Sequence, residues 1–218
     1  QPKNHNYGQI IVNAAGTNGI LLTNEDEKNA VLINNGLIET KQAGTIAVYA
    51  VNGSLAEMKN LNEQESHYTP GDVIVNGNWA QNAAIKAADG ATGLWLEQSN
   101  TAFSVSNPSG LALTRASIAA PIITGSSTSQ YTSVGVYSDG IATAEFKKGT
   151  KYDLNPSLYA NDTAAVRIGK NAVALLQNYK INEADSRSAV NFAGVGGTFD
   201  IQDLEINMDD NSVMAYSN

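Results

Sequence analysis

The chain has 218 residues, a net charge of −8 and no cysteine. The missing cysteine excludes a disulfide scaffold, thiolate metal sites and cysteine catalysis, and because an acidic surface repels phosphates we expect neither nucleic acid nor an anionic membrane as a partner. Hydrophobic residues make up 42% of the chain, enough for a packed core, while 25 Asn and 19 Gly indicate many turns.

Short apolar segments bounded by Gly, Asn or Asp recur along the chain, about one every ten residues. They lie at 9–12, 19–22, 30–33, 72–75, 93–96 and 110–113. Runs this short between turn signals predict strands, so we predict an all-β fold. Residues 82–88 and 171–177 have helical propensity, but each segment is only about two turns long. No apolar run approaches the roughly 18 residues of a membrane helix, so we expect no direct membrane insertion of this segment.

One sequence pattern recurs irregularly: Ser or Thr, a β-branched residue, a small residue, an aliphatic residue, Tyr, a small residue, then Asn or Asp with Gly. Its copies lie at 45–53, 133–140 and 212–218, with weaker echoes at 93–97 and 165–171. Successive copies and echoes are offset by about 30 to 50 residues, which suggests that each offset spans two coils with loop insertions. These offsets are too irregular for a propeller or a leucine-rich repeat.

The repeat predicts a parallel β-helix that spans residues 1–218 as a single segment. Small residues fit its tight corners, Asn and Gly tolerate a left-handed backbone, and Asn side chains can form ladders between coils. At roughly 22 residues per coil and about 4.8 Å per coil, we expect about ten coils and a rod near 50 Å long. The alternative is a β-sandwich, which has similarly spaced strands but pairs them in antiparallel hairpins.

The copies resemble coils of large autotransporter adhesin passengers, closest to the fusobacterial type. The segments "GTIAVYAVNGS" (44–54) and "SVGVYSDGIATAEFKKGT" (133–150) match their Gly-Val/Ile-Tyr-Ser/Ala core, the Asn-Gly or Asp-Gly that follows and a "KGT" step. The segment "INNGLIET" (33–40) matches another element, an Asn-Gly turn before a short strand. The resemblance covers about half of the chain in patches, and residues 60–70, 98–132 and 178–198 match nothing in it.

This resemblance implies a right-handed parallel β-helix with irregular loop insertions, part of a longer passenger that type V secretion exports through the outer membrane to the bacterial cell surface. The implied function is that of an adhesin segment, with a host-cell or bacterial surface receptor, protein or glycan, as its partner and no cofactor. Two alternatives stay open: a β-helical carbohydrate-active enzyme or tailspike-like module, and a spacer stalk that binds nothing.

The sequence offers little for catalysis, and we predict no catalytic and no metal-binding residues. A nucleophile needs a neighbouring base, yet the chain has two histidines, His5 near its start and His67 in a predicted loop. Asp203 and Glu205 could form a carboxylate pair on one strand face, although such acids are more often the solvated face of a strand. No acidic cluster has the spacing of an EF-hand calcium loop.

Aromatic residues give the predicted binding site. Tyr49, Tyr137 and Tyr216 occupy one repeat position, which predicts a stacked structural column, with ligand binding as the alternative. Tyr68 and Trp79 flank a stretch rich in Gly and Asn, at 70–78. Because sugars stack on exposed aromatic rings and proteins anchor there, we predict a contact patch at these two residues.

The last residues, 212–218, reproduce the start of the repeat and stop where its Gly would follow. A solenoid end needs a polar cap, and Val213, Met214 and Ala215 supply none. We therefore expect the chain to be part of a longer polypeptide, and its last coil to fray or to pair with another molecule.

Overall fold

The computed structural model describes residues 3–25, 28–59, 74–75, 78–79, 85–98, 114–120, 122–140, 142–146, 151–154, 164–168, 173–177, 180–183, 188–192, 198–202, 205–207 and 213–217. These residues form 25 strands and no helix. The all-β class is therefore confirmed. The described residues contain no helix long and apolar enough to cross a membrane.

Twenty-one of these strands form three parallel sheets of seven strands each. Sheet A contains β1 (Lys3–Asn6), β6 (Val31–Asn34), β9 (Leu55–Met58), β14 (Thr114–Ile118), β17 (Ala142–Phe146), β20 (Val173–Gln177) and β23 (Thr198–Gln202). Sheet B contains β2 (Gln9–Val12), β7 (Leu37–Thr40), β12 (Ile85–Lys86), β15 (Ile122–Thr124), β18 (Lys151–Leu154), β21 (Lys180–Glu183) and β24 (Glu205–Asn207). Sheet C contains β3 (Asn18–Leu22), β8 (Ile46–Val51), β13 (Thr92–Gln98), β16 (Val134–Gly140), β19 (Ala164–Ile168), β22 (Ser188–Phe192) and β25 (Val213–Ser217).

The chain visits sheets A, B and C in turn, and we call one such triple of strands a rung. The described strands make seven rungs, an arrangement consistent with a β-helix or solenoid. Along sheet C the spacing between paired residues runs from 24 residues, Ala164 to Ser188, up to 46, Ile46 to Thr92. The prediction of about ten coils with 22 residues each is therefore wrong, because the connections between strands are longer than it assumed.

Antiparallel pairing is confined, among the described residues, to two hairpins of two-residue strands. One joins β4 (Asn24–Glu25) to β5 (Lys28–Asn29), and the other joins β10 (Ile74–Val75) to β11 (Asn78–Trp79). All other strand pairs are parallel, so the antiparallel sandwich is not the fold of the described strands. Both hairpins are insertions between strands of the three large sheets.

The core lies between the inner faces of the three sheets. Its largest fully buried side chains are Leu32, Leu37, Ile38, Met58, Ile85, Leu94, Leu96, Ile118 and Ile122. The small residue of the repeat has a steric reason here: a Cβ on Gly93 would lie 2.8 Å from the carbonyl oxygen of Gly135 and 3.0 Å from a methyl of Ile122. A larger side chain at this position would collide with the next rung and with sheet B.

An asparagine ladder links the first two rungs, as the Asn-rich sequence predicted. Asn6 pairs with Asn34 across sheet A, and its Nδ2 donates to Asn34 Oδ1 at 2.8 Å. Asn34 Nδ2 in turn donates to the carbonyl oxygen of Gly36 at 3.1 Å. Asn52, with φ of 48°, is the one non-glycine residue in the described part with a left-handed backbone. Asn side chains therefore form a ladder between neighbouring rungs, and Asn also adopts a left-handed backbone, as we expected from the sequence.

The three repeat copies and both echoes place their strands in sheet C, as β8, β16, β25, β13 and β19. The two segments with helical propensity contain strands instead, β12 in 82–88 and β20 in 171–177. Pairing on both sides within a sheet outweighs the small difference in intrinsic propensity. Local helical propensity was therefore a weaker signal than the recurring short apolar segments, which predicted strands.

Candidate functional site: a groove beside an aromatic column on sheet C

Sheet C carries one outward side chain per rung at the repeat's Tyr position. The parallel register pairs Leu21 with Tyr49, Tyr49 with Trp95, Trp95 with Tyr137 and Tyr137 with Arg167. In β8, β13 and β16 the residues on either side of this position are buried, since side chains alternate between the faces of a strand. We call Tyr49, Trp95, Tyr137 and Arg167 the aromatic column, with Arg167 as its cationic end.

The rings of the column contact one another directly. Tyr49 and Trp95 are stacked with centroids 5.8 Å apart, and Tyr137 meets Trp95 edge to face at 4.3 Å. The Arg167 guanidinium carbon lies 5.5 Å from the centroid of the Tyr137 ring, which is a cation–π contact. The predicted structural column is confirmed for Tyr49 and Tyr137, while the side chain of Tyr216 lies outside the described part.

An acidic pair flanks the column. Glu97 and Asp139 are directly opposite each other on β13 and β16, and the Tyr49 hydroxyl donates to the Glu97 carboxylate. Burial raises the pKa of Asp139 above its ordinary value and Glu97 raises it further, whereas the backbone N–H of Gly140 and the charge of Arg167 oppose the shift. Burial also raises the pKa of the Tyr49 and Tyr137 hydroxyls. The folded chain therefore favours the neutral forms of Asp139, Tyr49 and Tyr137 more than the unfolded chain does.

A groove of about 430 Å³ opens between the column and the corner that leads from sheet B into sheet C. At this corner Gly44 and Gly90 stack, with φ of 69° and 70°, and Gly44 N–H donates to the Gly90 carbonyl at 2.9 Å. Gly90 N–H donates to Ser133 Oγ at 2.8 Å. The ring of Tyr131 lies so close to Gly44 that a Cβ there would be 2.9 Å from it. Hydrogen bonds between neighbouring rungs thus fix this corner, which forms one side of the groove.

The lining of the groove is polar and aromatic. It consists of Gly44, Thr45, Ile46, Gly90, Thr92, Trp95, Tyr131, Thr132, Val134, Tyr137 and Arg167. Among the described residues, Arg167 is the one charged side chain in this lining. Its Nε and the indole Nε1 of Trp95 are buried without a hydrogen-bond partner. Two N–H donors without a partner thus belong to residues of the groove lining.

Comparison of the chain with protein-family models, curated proteins and solved structures finds no match in any of the three. The groove is therefore interpreted from its own geometry. Within the described residues no group of three or more His, Asp or Glu side chains could hold a metal ion. Thr and Tyr side chains, Trp95 and Arg167 supply the polar chemistry of the groove lining.

The contact patch predicted at Tyr68 and Trp79 stays a prediction. Tyr68 is outside the described residues; Trp79 is in the hairpin strand β11, and its side chain is outside the described part. Asp203 is also outside the described residues, and Glu205 is the first residue of β24 in sheet B, so the carboxylate pair of Asp203 and Glu205 stays a prediction.

The sequence analysis missed Tyr131, Thr92 and Arg167 as groove residues. Tyr131 lies outside every repeat copy, so no pattern marked it. Arg167 did leave a signal, because it takes the Tyr position in the echo at 165–171. A cation at the end of a row of aromatic residues is the feature that could have been noticed.

Proposed function

We propose that this chain is a cell-surface binding segment, an adhesin segment of an autotransporter passenger exported through the outer membrane, and that it binds a surface molecule through the groove on sheet C. The observation that carries the proposal is the groove itself, where an exposed tyrosine, threonines and a cation line an opening of about 430 Å³. That volume lies within the range of about 300–1,000 Å³ typical of ligand pockets.

The proposed fold is a right-handed parallel β-helix. Three parallel sheets that each take one strand per rung support it. The hand is supported by a general rule, since crossovers between parallel strands of one sheet are right-handed in about 98% of cases. A rigid stack of this kind suits an adhesin, because it holds a binding face away from the cell.

Cell binding by the purified chain tests the proposal. We expect saturable binding of the labelled chain to host cells or partner bacteria, and weaker binding by a groove variant that combines Tyr131→Ala with Arg167→Gln. Arg115→Gln is the matched control, because Arg115 is exposed on sheet A and its replacement makes the same charge change away from the groove. Equal binding by all three proteins, or no binding by any, would favour the spacer-stalk alternative and contradict the proposal.

A second candidate function is a carbohydrate-active enzyme, and one observation favours it. Glu97 and Asp139 lie opposite each other on neighbouring strands, which are about 4.8 Å apart. Retaining glycosidases place two carboxyl groups about 5–5.5 Å apart, and a carboxyl with a raised pKa suits the general acid. Release of reducing sugars from a polysaccharide panel, abolished by Glu97→Gln and by Asp139→Asn, would support the enzyme and overturn the adhesin proposal.

A further inference from the structure

We propose that the ligand of the groove is a saccharide that carries a carboxylate, and that the Arg167 guanidinium binds this carboxylate. The inference rests on the proposed binding function and adds the class of ligand. Its basis is charge: the chain carries a net charge of −8, yet the one charged side chain of the groove lining, among the described residues, is a cation. The groove is thus a local site for an anionic group on an acidic protein.

Arg167 lines the groove and packs against the Tyr137 ring. Its guanidinium lies over the Tyr137 ring, with Cζ 5.5 Å from the ring centroid, and its Nε has no hydrogen-bond partner. A guanidinium presents its N–H groups as a planar fork that matches the two oxygens of a carboxylate. The stacking on Tyr137 reduces the conformational freedom that Arg167 would lose when it binds a ligand.

The acidic pair beside the column limits the charge of the single group that binds at Arg167. Asp139 neighbours Tyr137 by two positions on β16, and Glu97 lies opposite Asp139. The Glu97 carboxylate would repel a phosphate group with two negative charges more strongly than a singly charged carboxylate group. The geometry therefore favours a carboxylate over a phosphate.

The remaining lining suits the ring and hydroxyls of a sugar. Thr92 and Thr132 bring hydroxyl groups to the groove, and Tyr131, 42% exposed, offers an aromatic surface at its rim. Hydroxyl groups both donate and accept, as sugar hydroxyls do, and an aromatic ring packs against the apolar face of a pyranose. A sugar ring bearing one carboxylate uses each of these features.

The test compares two trisaccharides that differ only at C6: α-1,4-linked trigalacturonic acid and α-1,4-linked galactotriose. Binding of each to the purified chain is measured by calorimetry and by chemical-shift changes at pH 7 in low salt. We expect the acidic sugar to bind at least about tenfold more tightly than the neutral one, since a hydrogen bond to a charged group is lost with the carboxylate. High salt should reduce this difference.

Variants assign the effect to Arg167. We expect Arg167→Gln to weaken binding of the acidic sugar about tenfold or more and to leave the neutral sugar unaffected. Arg167→Lys should give intermediate affinity, because lysine keeps the charge but loses the fork. The matched control Arg115→Gln should bind like the parent chain, and an intact far-ultraviolet circular dichroism spectrum and unchanged urea midpoint would show that each variant folds.

Equal affinity for the two sugars, or no binding of either, would overturn the inference. So would stronger binding of a sulfated galactose trisaccharide or an acidic Glu-containing peptide than of trigalacturonic acid. Equal losses of affinity in the Arg167 and Arg115 variants would also overturn it. Failure here is distinguishable from failure of the proposed function. A chain that binds cells through the groove but ignores both sugars contradicts only the ligand class, whereas one that binds trigalacturonic acid but no cell contradicts the adhesin function.

Discussion

Trp95 is the residue on which the aromatic column depends, because it contacts Tyr49 on one side and Tyr137 on the other. The Trp95 indole is partly exposed. Its removal leaves a gap in the column, but it removes less buried apolar surface than the loss of a fully buried aromatic residue would. We expect Trp95→Ala to lower the free energy of unfolding by about 2–3 kcal/mol, below the roughly 3–5 kcal/mol of fully buried aromatic residues. Urea denaturation measures the loss.

Leu21 provides the matched control for this change. It occupies the same register position at the end of the column but is 54% exposed. Leu21→Ala should therefore cost less than about 1 kcal/mol. Equal losses at the two positions would show that the ring contacts of Trp95 add nothing to the stability of sheet C.

Asp139 makes the stability of the fold depend on pH. Because burial and Glu97 raise the pKa of Asp139 in the folded chain, its neutral form is favoured there, and the contribution of this group to stability falls as pH rises above the ordinary value of 3.8. We expect Asp139→Asn to raise the free energy of unfolding at pH 7 by roughly 0.2–1 kcal/mol, as relief of a like-charge cross-strand pair does. The gain should disappear near pH 3.5.

Urea denaturation from pH 3.5 to pH 7 checks this dependence. Glu145→Gln is the control, since Glu145 is an exposed carboxylate on β17 of sheet A. That variant should show no comparable gain at pH 7. A stabilisation by Asp139→Asn that is equally large at both ends of the pH range would contradict the electrostatic explanation.

At the scale of strands and corners, close contact between rungs limits what the turns tolerate. Leu37 N–H donates to the carbonyl of Gly8 at 3.0 Å, and a Cβ on Gly36 would lie 2.1 Å from that same oxygen. We therefore expect Gly36→Ala to cost about 3 kcal/mol or more, because backbone of the previous rung must move. Thermal and urea unfolding of the variant measure the cost.

Gly16 separates this contact effect from backbone strain. It has φ of 70°, but a Cβ there would meet nothing within 4 Å. Gly16→Ala should cost only about 1–2 kcal/mol, the penalty of a left-handed alanine. If Gly16→Ala proved the more destabilising of the two, the close approach of neighbouring rungs at Gly36 would be wrong.

The repeat identified strands of one sheet, whereas the short apolar segments at 9–12 and 30–33 predicted strands without showing which sheet they join. The motif with Tyr49 and Tyr137 located sheet C because outward tyrosines and small inward residues must recur where rungs stack. The strand β22 escaped notice, since Asn191 takes the Tyr position there. The number of rungs was misjudged because connection length between strands carries no periodic signal.

At the scale of the whole molecule, the groove could not be predicted because it joins parts of the chain that are distant in sequence. Gly44, Gly90 and Tyr131 come from the corners of three successive rungs, and Arg167 belongs to the fifth strand of sheet C. Only the register brings them together. Local composition instead singled out Tyr68 and Trp79, whose side chains lie outside the described residues.

The adhesin proposal concerns the whole molecule, because it requires the three sheets to form one continuous stack. Buried residues of sheets A, B and C pack into a single cluster that includes Leu32, Ile38, Ile85, Leu94 and Val136. A stack with one core should unfold over a narrow range of denaturant, since neighbouring rungs share their contacts.

The register of sheet C is the central claim, because both the aromatic column and the groove follow from it. Nuclear Overhauser contacts between backbone protons test it most directly. Parallel pairing predicts contacts that link Val48 to Leu94 and Leu94 to Val136, residues 46 and 42 positions apart in the chain. Contacts that instead pair these strands in antiparallel order, or that join Trp95 to neither Tyr49 nor Tyr137, would contradict the account.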